Sequence, residues 1–303
     1  MVRVFKLAYL DFACRDVSRL THYYTEVMGY VQTDRGEDGT VYLSNGVDHH
    51  NIVLTPSDRS GWRVTGLQVD PKISLDDAEE ILKKRGIAVK RFRDAKPGIA
   101  DYLEIADPDG NLIHLFTHMD MPVPGFSRIG IVPQKLGHMA FYSKDFQKTV
   151  NFYVEVLGFA FTDKIGEAFC NFLTCNNDHH VLNVVASNQG NRLHHVAFQL
   201  KDASHQYLSN DILAKHNIPI YWGPSRHYAG HNISTYSPDP EENIVELFID
   251  MDQYIWELGI FEPRPWHEEL PLKPKIWEGL SAWGTEYDFD LATLRMKQPV
   301  EQK

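Results

Sequence analysis

Two histidines and one glutamate stand where a charge or an imidazole is out of place. His138 and His195 lie near the starts of apolar runs, Leu136–Tyr142 and Leu193–Leu200, and Glu246 sits inside a third, Ile244–Phe248. A carboxylate that faces a core from the middle of a β-like segment costs roughly several kcal/mol unless it is paired or ligates a metal. On the opposite strand face it would simply meet solvent. Taken singly, each residue reads as structural, and the weight lies in the set. Two imidazoles and one carboxylate on separate strands lining one cavity would form the two-histidine, one-carboxylate face of non-haem Fe(II) sites, which leaves three coordination positions open.

The elements that must position these groups follow from an internal repeat. Residues 7–29 match residues 136–158 at a constant offset, with Tyr24 falling on Tyr153 and Gly29 on Gly158. The run Asp107-Pro-Asp-Gly-Asn-Leu-Ile-His-Leu-Phe116 likewise matches Asp239-Pro-Glu-Glu-Asn-Ile-Val-Glu-Leu-Phe248. Each copy opens with an alternating strand, passes into helical periodicity and closes on a glycine suited to a helix C′ position. Second helices are expected near Leu75–Lys84, capped by Ser74 and ended at Gly86, and near Ala203–His216. The expected fold is therefore α+β, with four βαβββ modules in tandem. A metal-free domain over 1–125 would precede a catalytic domain over 126–250, joined through the Met121-Pro-Val-Pro-Gly125 linker. After Asp250 the pattern changes, and 251–303, with Pro263, Pro265, Pro271 and Pro274, reads as an irregular arm wrapped on the body or on a neighbouring subunit.

The repeat also serves as an internal control. Tyr9 stands at the position of His138 and His114 at that of Glu246, while Gly66-Leu-Gln-Val69 offers no histidine opposite His195. If the fold itself required these side chains, both copies would carry them.

Composition narrows the function classes. Across 303 residues, 43% are hydrophobic and 23% charged, as in a soluble globular protein with room for a substantial core. The formal net charge of −11 disfavours nucleic acid and anionic membrane as partners. No apolar run reaches transmembrane length and the start has no signal-peptide order, so a cytoplasmic location is expected. Cys14, Cys170 and Cys175 are too few and too irregularly spaced for a disulfide framework or a zinc cluster.

The stretch His227-Tyr-Ala-Gly-His-Asn-Ile-Ser-Thr-Tyr236-Ser-Pro-Asp239-Pro240-Glu-Glu-Asn-Ile-Val-Glu246, with the two strand-opening histidines, resembles the two-domain extradiol catecholic dioxygenases of the vicinal oxygen chelate superfamily. These are the catechol 2,3-dioxygenase and 2,3-dihydroxybiphenyl 1,2-dioxygenase type, and the likeness runs from about Leu7 to Phe248. It departs at Glu242, where the family has glycine or proline.

The resemblance implies Fe(II), with Mn(II) as the alternative, held by His138, His195 and Glu246. It implies His180 as the acid/base histidine, and His227 and Tyr236 as the pair that hydrogen-bonds the bound diol. His231 is a further candidate for the cavity wall, while His179 and His194 are expected on the opposite strand faces as structural residues. The implied reaction opens catechol or a substituted catechol with O2 to a 2-hydroxymuconic semialdehyde type product, in aromatic catabolism. A homo-oligomer, by preference a tetramer, is implied too. The competing readings are a metal-dependent glyoxalase-like isomerase and a non-enzymatic small-molecule binding protein on the same fold.

Overall fold

Local signals set the helices as the sequence suggests. Ser74 Oγ accepts from Asp77 N at the start of the helix over Leu75–Lys84, Asp76 and Asp77 occupy its first turn, and Gly86 follows it at φ +75°. In the computed structural model, residues 1–121, 129–167, 169–188, 192–262 and 272–285 are described, with the strand backbone at 289–290 and 295–296. The linker beyond Met121, and Pro263, Pro265 and Pro271, lie outside the described residues.

Each module reads strand, helix, three strands. The first comprises β1 (Val4–Cys14), α1 (Val17–His22), β2 (Val31–Arg35), β3 (Val41–Ser44) and β4 (Ile52–Pro56). The second comprises β5 (Gly61–Val69), α2 (Leu75–Lys84), β6 (Lys90–Lys96), β7 (Ile99–Ala106) and β8 (Leu112–Phe116). The third comprises β9 (Lys135–Ser143), α3 (Phe146–Glu155), β10 (Ala160–Ile165), β11 (Cys170–Thr174) and β12 (Leu182–Ala186). The fourth comprises β13 (Leu193–Gln199), α4 (Ala203–Lys215), β14 (Trp222–His227), β15 (Ile233–Pro238) and β16 (Ile244–Ile249).

Modules pair into two curled sheets. The first runs β2-β3-β4-β1-β5-β8-β7-β6, and the second repeats that order as β10-β11-β12-β9-β13-β16-β15-β14. The helices pack on one face of each sheet, where an apolar cluster runs continuously through both halves. Trp62 lies 5.5 Å from Phe141, and Tyr24 and Tyr30 set their edges against Phe198. The chain before each half crosses the end of the other half's first helix: Val2 N donates to Val156 O at 2.8 Å and Ile131 N to Val27 O at 2.8 Å. Gly29, at φ +77°, sits at that crossing because a Cβ there would fall 2.6 Å from Ile129 O. Glu242 holds φ +67° at the position of Gly110, so the departure from the family pattern is met by a non-glycine residue in left-handed backbone.

The C-terminal segment is less irregular than its prolines suggest. After the hairpin β17 (Gln253–Ile255) and β18 (Ile260–Glu262), β19 (Ile276–Trp277) pairs with β10 at one edge of the second sheet, and β20 (Ser281–Gly284) pairs with β14 at the other. It straps the sheet from edge to edge. Among the described residues, no helix is long and apolar enough to cross a membrane.

Candidate active site

Three adjacent strands of the second sheet build the site. Ala197 on β13 has His138 of β9 as its cross-strand neighbour on one side and Glu246 of β16 on the other. His195 lies two residues along, on the same face. The methyl group of Ala197 leaves the space between the longer side chains open. The His138, His195 and Glu246 ligand atoms all lie within 4.8 Å of one another, and all three residues are buried.

The carboxylate of Glu246 is divided between two tasks. Its Oε1 accepts from Ser234 Oγ at 2.5 Å and Asn232 Nδ2 at 3.0 Å, while Oε2 faces both imidazoles. His138 Nε2 lies 3.0 Å from Oε2 in hydrogen-bond geometry. His195 Nε2 is equally near at 3.0 Å but off the line of a hydrogen bond, which leaves a buried nitrogen with no partner. His195 Nδ1 contacts His194 Nδ1 at 2.7 Å, so Nε2 is the atom free to act. Burial, opposed by Glu246, lowers the pKa of His138 and favours its neutral, lone-pair form. Burial pushes Glu246 up, yet the two facing histidines outweigh it and hold the carboxyl well below its usual range. Two imidazole nitrogens and one carboxylate oxygen converging in a dry site, one of them orphaned, fit a divalent first-row cation.

The remaining candidates mostly gather around this point. The His180 ring lies 4.3 Å from that of His138 and 5.0 Å from Phe172, and burial lowers its pKa well below the ordinary value. His227 Nε2 and Tyr236 Oη are 2.9 Å apart, and burial lowers His227 to about 4. Trp222 stacks on Tyr236 at 4.9 Å, and the Tyr236 ring stands 5.5 Å from His195. His138, His180, His195, His227, Tyr236 and Glu246 all line one cavity.

Two residues fall elsewhere than the sequence suggests. His231 is not on the cavity wall: at φ +50° its ring turns away, and Nδ1 pairs with Asp252 at 2.8 Å while Asn232 takes the lining position. His194 does line the cavity, because the β9–β13 register slips between Leu193 and His195 and brings both rings to one side. Sequence reasoning also passed over Asn232 and Ser234, whose signal was their place inside the Gly223–Phe248 stretch, and Leu280, a wall residue supplied by the strap.

Comparison with known proteins places this geometry in context. Residues 135–258 match the Glyoxalase/Bleomycin resistance protein/Dioxygenase superfamily. The chain is 24% identical over 253 residues to a metapyrocatechase from Pseudomonas sp. (strain CF600), covering 78% of this chain and 82% of that protein. The 2,3-dioxygenase LapB from Pseudomonas sp. KL28 shares the fold with a TM-score of 0.79 at 22% identity, over 91% of this chain and 98% of that one. The Mn(II)-bound glyoxalase from Novosphingobium aromaticivorans shares it with a TM-score of 0.81 at 24% identity, over 94% and 93% of the two chains.

Proposed function

We propose that this chain, which belongs to the Glyoxalase/Bleomycin resistance protein/Dioxygenase superfamily through residues 135–258 and is related along most of its length to extradiol dioxygenases, opens the ring of a catechol with O2. The observation that carries the reading is the convergence of His138, His195 and Glu246 in the cavity that also holds His180 and the His227–Tyr236 pair. In this reading 1–125 is a metal-free domain, 126–250 the catalytic domain and 251–303 an arm, and the chain assembles as a homo-oligomer, by resemblance a tetramer.

A bound Fe(II), or Mn(II) with the same donor preferences, would supply electronic coupling between two poor reactants, a ring diol and O2. The protein's own groups would do the rest. Tyr236 and His227 hold a hydroxyl of the diol and accommodate the charge that develops as it loses its proton. A neutral His180 offers a lone pair beside His138 and can take a proton and return it. Trp222, Phe172, Val185, Ile165 and Leu280 line the rest of the cavity and exclude water. Among the described lining residues no lysine or arginine occurs. A catechol with an apolar substituent is therefore favoured over one that carries a carboxylate, whose charge would find no partner.

The test is to load the protein anaerobically with Fe(II) or Mn(II), then follow O2 uptake and a yellow product with catechol, alkylcatechols, 2,3-dihydroxybiphenyl and a carboxylate-bearing catechol. Turnover of the apolar members is expected. O2-independent conversion of a glyoxalase-type thiohemiacetal, with no O2 uptake on any catechol, would instead favour the isomerase, a reaction that leaves His180, His227 and Tyr236 together without a task.

A further inference from the structure

Behind His180 runs a buried chain of polar groups that the catalytic reading does not use. His180 Nδ1 lies 2.9 Å from His179 Nδ1, and His179 Nε2 lies 3.0 Å from Asp163 Oδ2. His179 and Asp163 are fully buried. Asp163, on β10, is held from the C-terminal segment: Lys275 N donates to Oδ1 at 2.8 Å and the Trp277 indole N–H to Oδ2 at 2.8 Å. Both holds come from the strand pairing of β19 with β10.

We propose that Asp163, acting through His179, fixes the tautomer of His180, and that the C-terminal strap is what fixes Asp163. The proposal rests on the dioxygenase reading only for the use made of His180. Peptide and indole N–H groups can only donate, so both oxygens of Asp163 act as acceptors. His179 Nε2, the second partner of Oδ2, therefore carries the hydrogen. An uncharged His179 with its one hydrogen on Nε2 accepts at Nδ1, so the facing His180 Nδ1 is the donor; a His179 imidazolium would instead donate from Nδ1 and put the His180 hydrogen on Nε2, the outcome that counts against the proposal. With His179 uncharged, the lone pair of His180 is left on Nε2, the ring nitrogen remaining for the cavity that His180 lines. The reverse chain would place a hydrogen on Nε2, and His180 could then take no proton there. Asp163 and His179 are positioning residues in the sense in which a buried carboxylate orients a catalytic imidazole.

The first half shows what the strap adds. Asp34, His49 and His50 stand at the corresponding positions, and His49 Nδ1 lies 3.0 Å from His50 Nδ1. There the carboxylate lies 3.9 Å from His49 Nε2, and its side chain is 44% exposed. The histidine pair is thus part of the inherited scaffold, while the dry, doubly held carboxylate belongs to the second half.

The experiment uses the full-length chain with 15N-labelled histidine, loaded with Zn(II) as a diamagnetic probe, and reads ring tautomers by long-range 15N–1H correlation, with His180 assigned by subtraction in His180→Asn. The wild type is expected to show His180 with hydrogen on Nδ1 alone. Asp163→Asn, whose amide can donate to His179 Nε2 and reverse the chain, should populate the Nε2–H form. With Fe(II), its kcat for an alkylcatechol should fall about 10²-fold, with KM within about twofold and metal content unchanged. His179→Phe breaks the chain one link later and should release the tautomer likewise, even if Asp163→Asn does not fold. Trp277→Phe, which deletes one donor to Asp163, should give a smaller population of the same form. Nε2–H in the wild type, or His180 still protonated on Nδ1 alone in both Asp163→Asn and His179→Phe, would overturn the proposal. The expected tautomers without ring cleavage on any catechol would uphold the relay and sink the dioxygenase reading.

Discussion

The centres of the two sheets use the same three strand positions to opposite ends. In the second half, His138, His195 and Glu246 converge and leave His195 Nε2 without a hydrogen-bond partner. In the first, Tyr9, Val64 and His114 occupy those places, and Gly66 stands where Ala197 does. Tyr9 Oη lies 2.6 Å from His114 Nδ1, His114 Nε2 lies 3.3 Å from Glu104, and the Tyr9 ring fills the space in front of Gly66. One centre is a plug whose polar atoms satisfy each other, and the other is a socket whose atoms cannot. A duplicated scaffold therefore tolerates either state, and since His50 Nε2 beside the Tyr9 ring is also buried without a partner, what marks the site is the convergence of ligand atoms around the orphaned one.

The largest effect should come from emptying the socket. His138→Ala, His195→Ala or Glu246→Ala is each expected to abolish stoichiometric metal binding, read by elemental analysis, and to reduce ring cleavage by more than about 10³-fold, since metal and chemistry are lost together. Tyr9→Phe and His114→Ala should change neither. Stoichiometric metal retained by Glu246→Ala would break the comparison at its root.

Removing His180 should cost less and should act differently. His180→Asn leaves the three converging groups and the His227–Tyr236 pair in place, so metal content and anaerobic catechol binding are expected to persist while turnover falls about 10²–10⁴-fold. Loss of anaerobic binding in that variant would move His180 into the diol pocket. A smaller effect falls on stability in the plugged half. A Cβ at Gly66 would lie 2.1 Å from the Tyr9 ring, so Gly66→Ala should destabilise by about 1–3 kcal/mol in urea titration, and Tyr9→Leu in the same chain should relieve part of that cost.

Much of this architecture was legible because it is local or repeated. The helix over Leu75–Lys84 carries its own cap and glycine stop, and the offset match between the halves carries the module order into the second sheet. The three converging groups were legible as misplaced polar residues in apolar strands. What stayed hidden depends on register and on distant chain. A slip beside His195 turned His194 inward, and left-handed backbone turned His231 outward, neither of which periodicity encodes. β19 and β20 are two and four residues long, too short to show alternation, and Asp163 on β10 looks like an ordinary solvent-facing charge until Trp277 covers it. The pair His49-His50 was a missed signal: it aligns with His179-His180, so a histidine at the position of His180 does not by itself distinguish the halves.

The smallest effect tests whether the comparison extends to the seam between the halves. The Asp-Pro turn of each half reaches the first helix of the other. Glu241 Oε1 accepts from Asp16 N at 2.7 Å, while Asp109 accepts from Ser143 Oγ, from Lys144 N and Asp145 N at 3.2 Å each, and from Thr149 Oγ1 at 2.9 Å. The two helices depend on these turns unequally. Asp16 caps α1 with its own side chain, accepting from Arg19 N, whereas Asp145 makes no side-chain cap bond and leaves the start of α3 to Asp109. Asp109→Ala should therefore cost about 1 kcal/mol, as loss of a helix cap does, and Glu241→Ala less. The pH dependence has a definite sign. Partial burial raises the pKa of Asp109, but the donors from Ser143, Asp145, Thr149 and Lys144 outweigh it and hold the folded-state value below the ordinary one. A group depressed in the folded state stabilises above its unfolded pKa of about 4, and that contribution is lost as pH falls through the folded value. The difference in urea midpoint between wild type and Asp109→Ala should accordingly be full at pH 7 and shrink below about pH 4. A difference that instead grew on acidification, or equal costs for Asp109→Ala and Glu241→Ala, would show that the two turns clamp the halves alike and that the asymmetry stops at the centres of the sheets.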